Sequence, residues 1–81
     1  MNRERILEIA NEVFRDVFDD ESITISEATV AADIDDWDSL EHINLILAIE
    51  QRFKMKFNMG EVTSMEKVGD MVDILMTRGQ L

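Results

Sequence analysis

Ile6, Ile9, Ala10, Val13, Phe14 and Val17 recur at i, i+3, i+4, i+7, i+8 and i+11, a spacing that puts one apolar stripe on a helix. The spacing predicts a helix from Asn2 or Arg3 to Phe18, with Asn2 able to cap its first turn. A second helix is predicted to open at Asp38, whose carboxylate can accept from the backbone while Glu41, three residues on, reaches back in a capping-box arrangement. It should run to about Phe53. A third is predicted to begin at Thr63, with Glu66 in the same relation, and to repeat Met65, Val68, Met71, Val72, Leu75 and Met76 before Gly79 stops it. Gly69 weakens its middle by ~1 kcal/mol relative to Ala.

Between the first two helices, Asp19 to Trp37 places Ile23, Ile25, Val30 and Ile34 without a helical period. Ile23 and Ile25 alternate with polar neighbours as a strand would, but no second run is available to pair with them, and a lone strand is not stable. The stretch is expected to be an ordered loop. Phe57 to Val62 has room for one turn. The fold expected is an all-α single domain over residues 1–81, a small three-to-four-helix bundle with a long loop between its first and second helices.

At 81 residues the chain buries only ~60% of its unfolded surface, enough for one core and hardly for an enclosed active site. It holds no Cys and a single His, His42, so disulfides, thiolate metal sites and His-rich zinc patterns are all excluded, and no metal is expected. The formal charge is -10, and it is local. Asp16 to Gln51 holds eleven acids and no Lys or Arg, whereas the other residues hold seven acids and eight bases, giving -11 against +1. Such a surface repels nucleic acid and anionic lipid and attracts basic proteins, or it is simply a solubilising face. A calcium loop counted from Asp33 fails, because Trp37, Asp38 and Asn44 stand where a ligand, Gly and the bidentate Glu belong. Met1 to Arg5 carries no signal-like apolar run, and Leu45 to Ile49 is too short to span a bilayer. A cytoplasmic monomer is expected.

Catalytic constellations are missing. Ser39 and His42 lie three residues apart on one helix with no oxyanion loop in view, and Gly60, Gly69 and Gly79 form no phosphate-binding loop. Paired carboxylates would need a cleft with differentiated environments, which so small a bundle seldom has. The chain is not expected to be an enzyme.

The run Trp37-Asp38-Ser39-Leu40-Glu41-His42-Ile43, continuing through Leu47-Ala48-Ile49-Glu50-Gln51-Arg52-Phe53, resembles the phosphopantetheine attachment segment of acyl carrier proteins. The order of elements supports the resemblance over essentially the whole chain: a first amphipathic helix, a long loop, Asp-Ser-Leu opening a helix, a short turn and a last helix. The resemblance implies that a phosphopantetheinyl transferase joins 4'-phosphopantetheine from coenzyme A to Ser39, and that the arm's thiol carries acyl or aminoacyl groups as thioesters. The partners it implies are that transferase, an acyl-loading ligase or transferase, and ketosynthase or acyltransferase enzymes with basic docking patches. The alternative is an acidic helical module that binds a basic protein without being modified.

Leu40, Ile43, Leu47 and Glu50 follow one another on a stripe beside Ser39. By resemblance, Leu40, Ile43 and Leu47 meet partner enzymes, while Asp38, Glu41 and Glu50 meet their basic residues; the alternative is that these residues are core, a reading that suits Ile43 and Leu47 better than Leu40. Asp38 is expected both to cap the helix and to contact the transferase. His42 is expected to be a solvated helix residue. The Met residues of the last helix are expected in the core, where Met65, Met71 and Met76 would let the bundle open for an acyl chain. Carriers of fatty acid synthesis usually have a small residue before Asp-Ser-Leu and more acids along the second helix. Trp37, Asn44 and Gln51 depart from that pattern, and Lys54 and Lys56 follow the helix. These departures favour a specialised polyketide, aminoacyl or sugar-modifying acyl pathway over central fatty acid biosynthesis.

Overall fold

The computed structural model describes residues 2–79, ordered as α1 (Arg3–Phe18), a 3-10 turn (Ala31–Asp33), α2 (Ser39–Phe53), α3 (Met59–Ser64) and α4 (Val68–Arg78). No strand occurs among the described residues. α1 starts where its cap was expected: Asn2 is extended and its side chain accepts from the Arg5 N–H at 2.8 Å. It ends at Asp19, which turns left-handed at φ 50 and returns its N–H to the last turn.

α1 packs on both α2 and α4. Its stripe of Ile6, Ile9, Ala10, Val13 and Phe14 meets Leu45, Ile46, Ile49 and Phe53 of α2 and Val68, Met71, Val72 and Leu75 of α4 in one core. Phe18 completes the α1 contribution, while the expected Val17 lies only half-buried at its edge. α3 contributes no buried residue.

The long loop is tied down by side chains. Ile25 is buried, and its N–H donates to Asn11 Oδ1 at 2.7 Å while Asn11 Nδ2 donates to its carbonyl at 3.4 Å, so one amide side chain does what a neighbouring strand would. Arg15 Nε donates to the Ile23 carbonyl at 2.7 Å. Farther along, the Gly69 N–H donates to the Glu27 carbonyl at 2.8 Å and the Val68 N–H to the Thr29 carbonyl at 2.9 Å, joining the loop to the start of α4. Arg3 binds both Glu27 and Asp73, and its hydrogen bond to Glu27 holds that carboxyl below its usual range.

The third helix departs from expectation. Instead of one helix opening at Thr63, the chain makes two. Asn58 and Glu61 form a reciprocal capping box, with Glu61 N–H on Asn58 Oδ1 at 2.8 Å and Asn58 N–H on Glu61 Oε1 at 3.0 Å, and this starts α3 five residues early. The one turn expected over Phe57 to Val62 is thus a six-residue helix, Met59–Ser64. Thr63 sits inside it and donates its hydroxyl to the Met59 carbonyl. A second start follows, because Asp70 accepts from the Glu66 and Lys67 N–H groups at 2.9 and 3.2 Å. Gly79 does end α4, but with φ -63 and its N–H on the Leu75 carbonyl, not through a left-handed cap.

Candidate functional site around Ser39

Ser39 is the first residue of α2, exposed, directly after the extended cap residue Asp38. Asp38 Oδ1 accepts from the Glu41 N–H at 2.8 Å, as the spacing predicted. The return half of the box does not form: Glu41 Oε1 instead accepts from Asn44 Nδ2 at 3.2 Å, and the Asp38 N–H goes to the Asp36 carbonyl. The Ser39 hydroxyl makes no hydrogen bond to another described residue and stands at the positive end of a fifteen-residue helix. A phosphodiester placed there would meet the favourable end of the helix, and an exposed hydroxyl leaves room for it. The residues present therefore fit a phosphopantetheine.

Leu40, Ile43 and Leu47 are 66%, 55% and 50% exposed, an apolar strip leading away from Ser39 along α2. Asp33, Asp35, Asp36 and Asp38 lie exposed just before it, and Glu41 is half-exposed beside it. Glu50 does not belong to this surface. Its residue is 9% exposed, and its carboxylate accepts from the Phe57 N–H at 2.8 Å and sits 3.9 Å from Lys56 Nζ. The sequence placed it on the recognition stripe because i+10 returns to the same face. The turn after α2, made by Lys54 with φ 55, brings the backbone of Phe57 back over it and uses its charge internally.

His42 likewise overturns its expectation of a solvated role. It is half-buried and stacks on Trp37, with centroids 5.9 Å apart and planes at 27°. Trp37 Nε1 donates to His42 Nδ1 at 3.1 Å, and His42 Nε2 lies 3.3 Å from the Val62 carbonyl of α3. An indole N–H only donates, so Nδ1 accepts and Nε2 carries the hydrogen. Trp37 in turn packs edge-on against Phe14 at 5.2 Å. The available signal was the pairing of the one Trp with the one His five residues later.

Beside Ser39 an open groove of about 570 Å³ runs between α2 and the α3–α4 segment. It is lined by Trp37, His42 and Ile43, by Val62 and Met65, and by the buried Met71. Of the methionines thought to form a flexible core, Met71 is buried and Met65 half-buried, but Met76 is 44% exposed and lies outside the groove. Among the described residues no cluster of His, Asp or Glu could hold a metal ion, and no helix is long and apolar enough to cross a membrane.

Comparison with protein-family models gives no match, and comparison with curated proteins gives none either. Among solved structures five chains match. One is the solution NMR structure of a holo acyl carrier protein from Geobacter metallireducens, 44% identical, covering 89% of this chain and 83% of that one with a TM-score of 0.84.

Proposed function

Because the chain belongs to the acyl carrier protein family, we propose that it bears 4'-phosphopantetheine on Ser39 and shuttles acyl or aminoacyl groups between biosynthetic enzymes. One observation carries the assignment to Ser39: its hydroxyl is exposed and unengaged at the first position of a capped helix, at the edge of an acidic surface and an apolar strip. When attached, the arm supplies a thiol that holds cargo as a thioester.

The chain's own residues do the presenting. Asp38 fixes the helix start and so the direction of the Ser39 hydroxyl. Leu40, Ile43 and Leu47 offer a partner a dry contact, while Asp35, Asp36, Asp38 and Glu41 steer and orient a basic docking patch, including that of the transferase. Glu50 serves the turn to α3 instead. With Asn44 and Gln51 in place of acids, the charge is concentrated near Ser39 and absent from the exposed middle of α2. That distribution supports a specialised polyketide, aminoacyl or sugar-modifying acyl pathway, whose enzymes would grip the Ser39 end alone.

Incubation with coenzyme A and a phosphopantetheinyl transferase is expected to add one phosphopantetheine mass to the intact protein and none to Ser39→Ala. No addition to the folded wild-type chain would sink the carrier reading and leave an acidic module for a basic partner. Efficient malonyl loading and elongation by fatty-acid-synthesis enzymes would instead sink the specialised pathway while leaving Ser39 in place.

A further inference from the structure

We infer that Trp37, His42 and the Val62 carbonyl form a latch on the groove beside Ser39: neutral His42 holds α3 against α2, and protonated His42 releases α3 and opens the groove. The relay uses both ring nitrogens. Nδ1 takes the Trp37 indole N–H at 3.1 Å, and Nε2–H faces the Val62 carbonyl at 3.3 Å. A second ring proton must go on Nδ1, where it would face an indole N–H that has no acceptor lone pair to offer. Trp37 cannot readily yield, being packed on Phe14 at 5.2 Å and Phe18 at 6.3 Å. His42 is the member that turns, and in turning it gives up Val62.

α3 is the element such a release would move. None of its side chains is fully buried and Val62 alone packs half-buried against the core, so its ties to side chains of α2 and α4 matter to its position. Its other tie is Arg78, which binds Glu61 and also donates to the Lys56 carbonyl at 3.1 Å. Arg78 holds the Glu61 carboxyl below its usual range, so that tie stays charged through the window of about pH 5 to 8 in which imidazoles titrate. The imidazole tie can be broken by a second proton whereas the Arg78–Glu61 tie stays charged, so release of Val62 leaves α3 held through Arg78. The charged groups on the groove are Asp38 at the start of α2 and Glu66 and Lys67 between α3 and α4. α1 presents Phe14 and Phe18 to Trp37, and the groove residues of α3 and α4 (Met59, Val62, Thr63, Val68 and Met71) carry no ionisable group.

That an opened groove receives cargo rests on the carrier reading, but the latch does not, and it is tested on the unmodified chain. The chain has one Trp and one His, so the indole N–H and imidazole nitrogen resonances identify themselves. NMR at neutral pH is expected to show the Nε2–H tautomer. As His42 titrates, the Trp37 indole proton should shift in parallel and the amide protection factors of Val62 and Thr63 should fall about tenfold, the effect of losing one or two neutral hydrogen bonds. His42→Gln keeps an acceptor and a donor but does not titrate, and should abolish that pH step; His42→Leu should give low α3 protection at every pH. An Nδ1–H tautomer, unchanged α3 protection through the His42 titration, or a pH step retained in His42→Gln would each overturn the latch. If His42→Leu does not fold, the wild-type titration and His42→Gln decide.

Discussion

Gly69 and Gly60 are each the second residue of a helix, α4 and α3, so replacing either with Ala changes helix propensity alike while the tertiary surroundings differ. Ala is favoured over Gly by up to about 1 kcal/mol in a helix, less in a first turn. At Gly69 a Cβ would lie 3.0 Å from the Glu27 carbonyl oxygen, which must give by a few tenths of an ångström. It has little freedom to do so. The same carbonyl accepts the Gly69 N–H at 2.8 Å, the Glu27 side chain is held by Arg3, and Ile25 just before it is buried and bound to Asn11. Overpacking of this kind costs about 1–3 kcal/mol, and loosening the two backbone bonds to the loop adds about 1 kcal/mol. Set against the propensity gain, Gly69→Ala should lose about 2 kcal/mol. A domain this size has roughly 4–12 kcal/mol in all, and the loss should lower Tm by roughly 8–16 °C. At Gly60 the nearest atom is Asn58 Oδ1 at 3.5 Å, an ordinary contact, so Gly60→Ala should be neutral or stabilising by up to about 1 kcal/mol. Urea unfolding at 25 °C, followed by circular dichroism and by fluorescence of Trp37, reads both. A Gly69→Ala protein as stable as wild type, or equal to Gly60→Ala, would refute the argument that the loop clasp fixes this glycine.

Glu50→Gln keeps an acceptor for the Phe57 N–H but loses the charge, and should cost about 1 kcal/mol in urea unfolding without changing the rate of phosphopantetheine loading; a loading defect in the folded variant would return Glu50 to the recognition surface. Leu40→Ala should leave stability within about 0.5 kcal/mol, because Leu40 is 66% exposed, yet slow loading by the transferase several-fold; an unchanged rate would remove Leu40 from the contact. Four carboxyls are held below their usual range: Asp20 by the Ser22 hydroxyl and N–H, Glu27 by Arg3, Glu61 by Arg78 and Asp70 by the Glu66 and Lys67 N–H groups. Their stabilising effect is present above the unfolded carboxylate range near pH 4 and is lost as pH falls through the lower folded values, so the urea midpoint should drop steadily below about pH 4. Arg3→Gln should flatten the Glu27 share of that drop, and an undiminished slope would show that Arg3 is not its cause.

The resemblance carried by Asp38-Ser39-Leu40 and its flanking helix identified the family, and the apolar periods of Ile6 to Phe14 and of Val68 to Leu75 gave two sides of the core. Asn58 and Glu61 have the same spacing as Thr63 and Glu66, and sequence alone does not rank two capping boxes five residues apart, so the spacing leaves the start of α3 open. The structure forms the earlier one, and Asp70 then caps a separate helix. The period of α4 predicts Met76 in the core, yet it is 44% exposed, directly beside the fully buried Leu75.

What the sequence determined by itself is what depends on residues within about one helical turn of each other: the Asn2 and Asp38 caps, the apolar stripe of α1, and the exposed Ser39 at the head of α2. What only the tertiary structure decided are the roles set by distant partners. Glu50 is taken by the Phe57 N–H, His42 by Val62 twenty residues away, and Gly69 by a carbonyl of the long loop forty-two residues earlier. Periodicity records which face of a helix a residue occupies, but a polar side chain's role depends on which donor or acceptor the fold brings to that face, and that is fixed only when the elements pack.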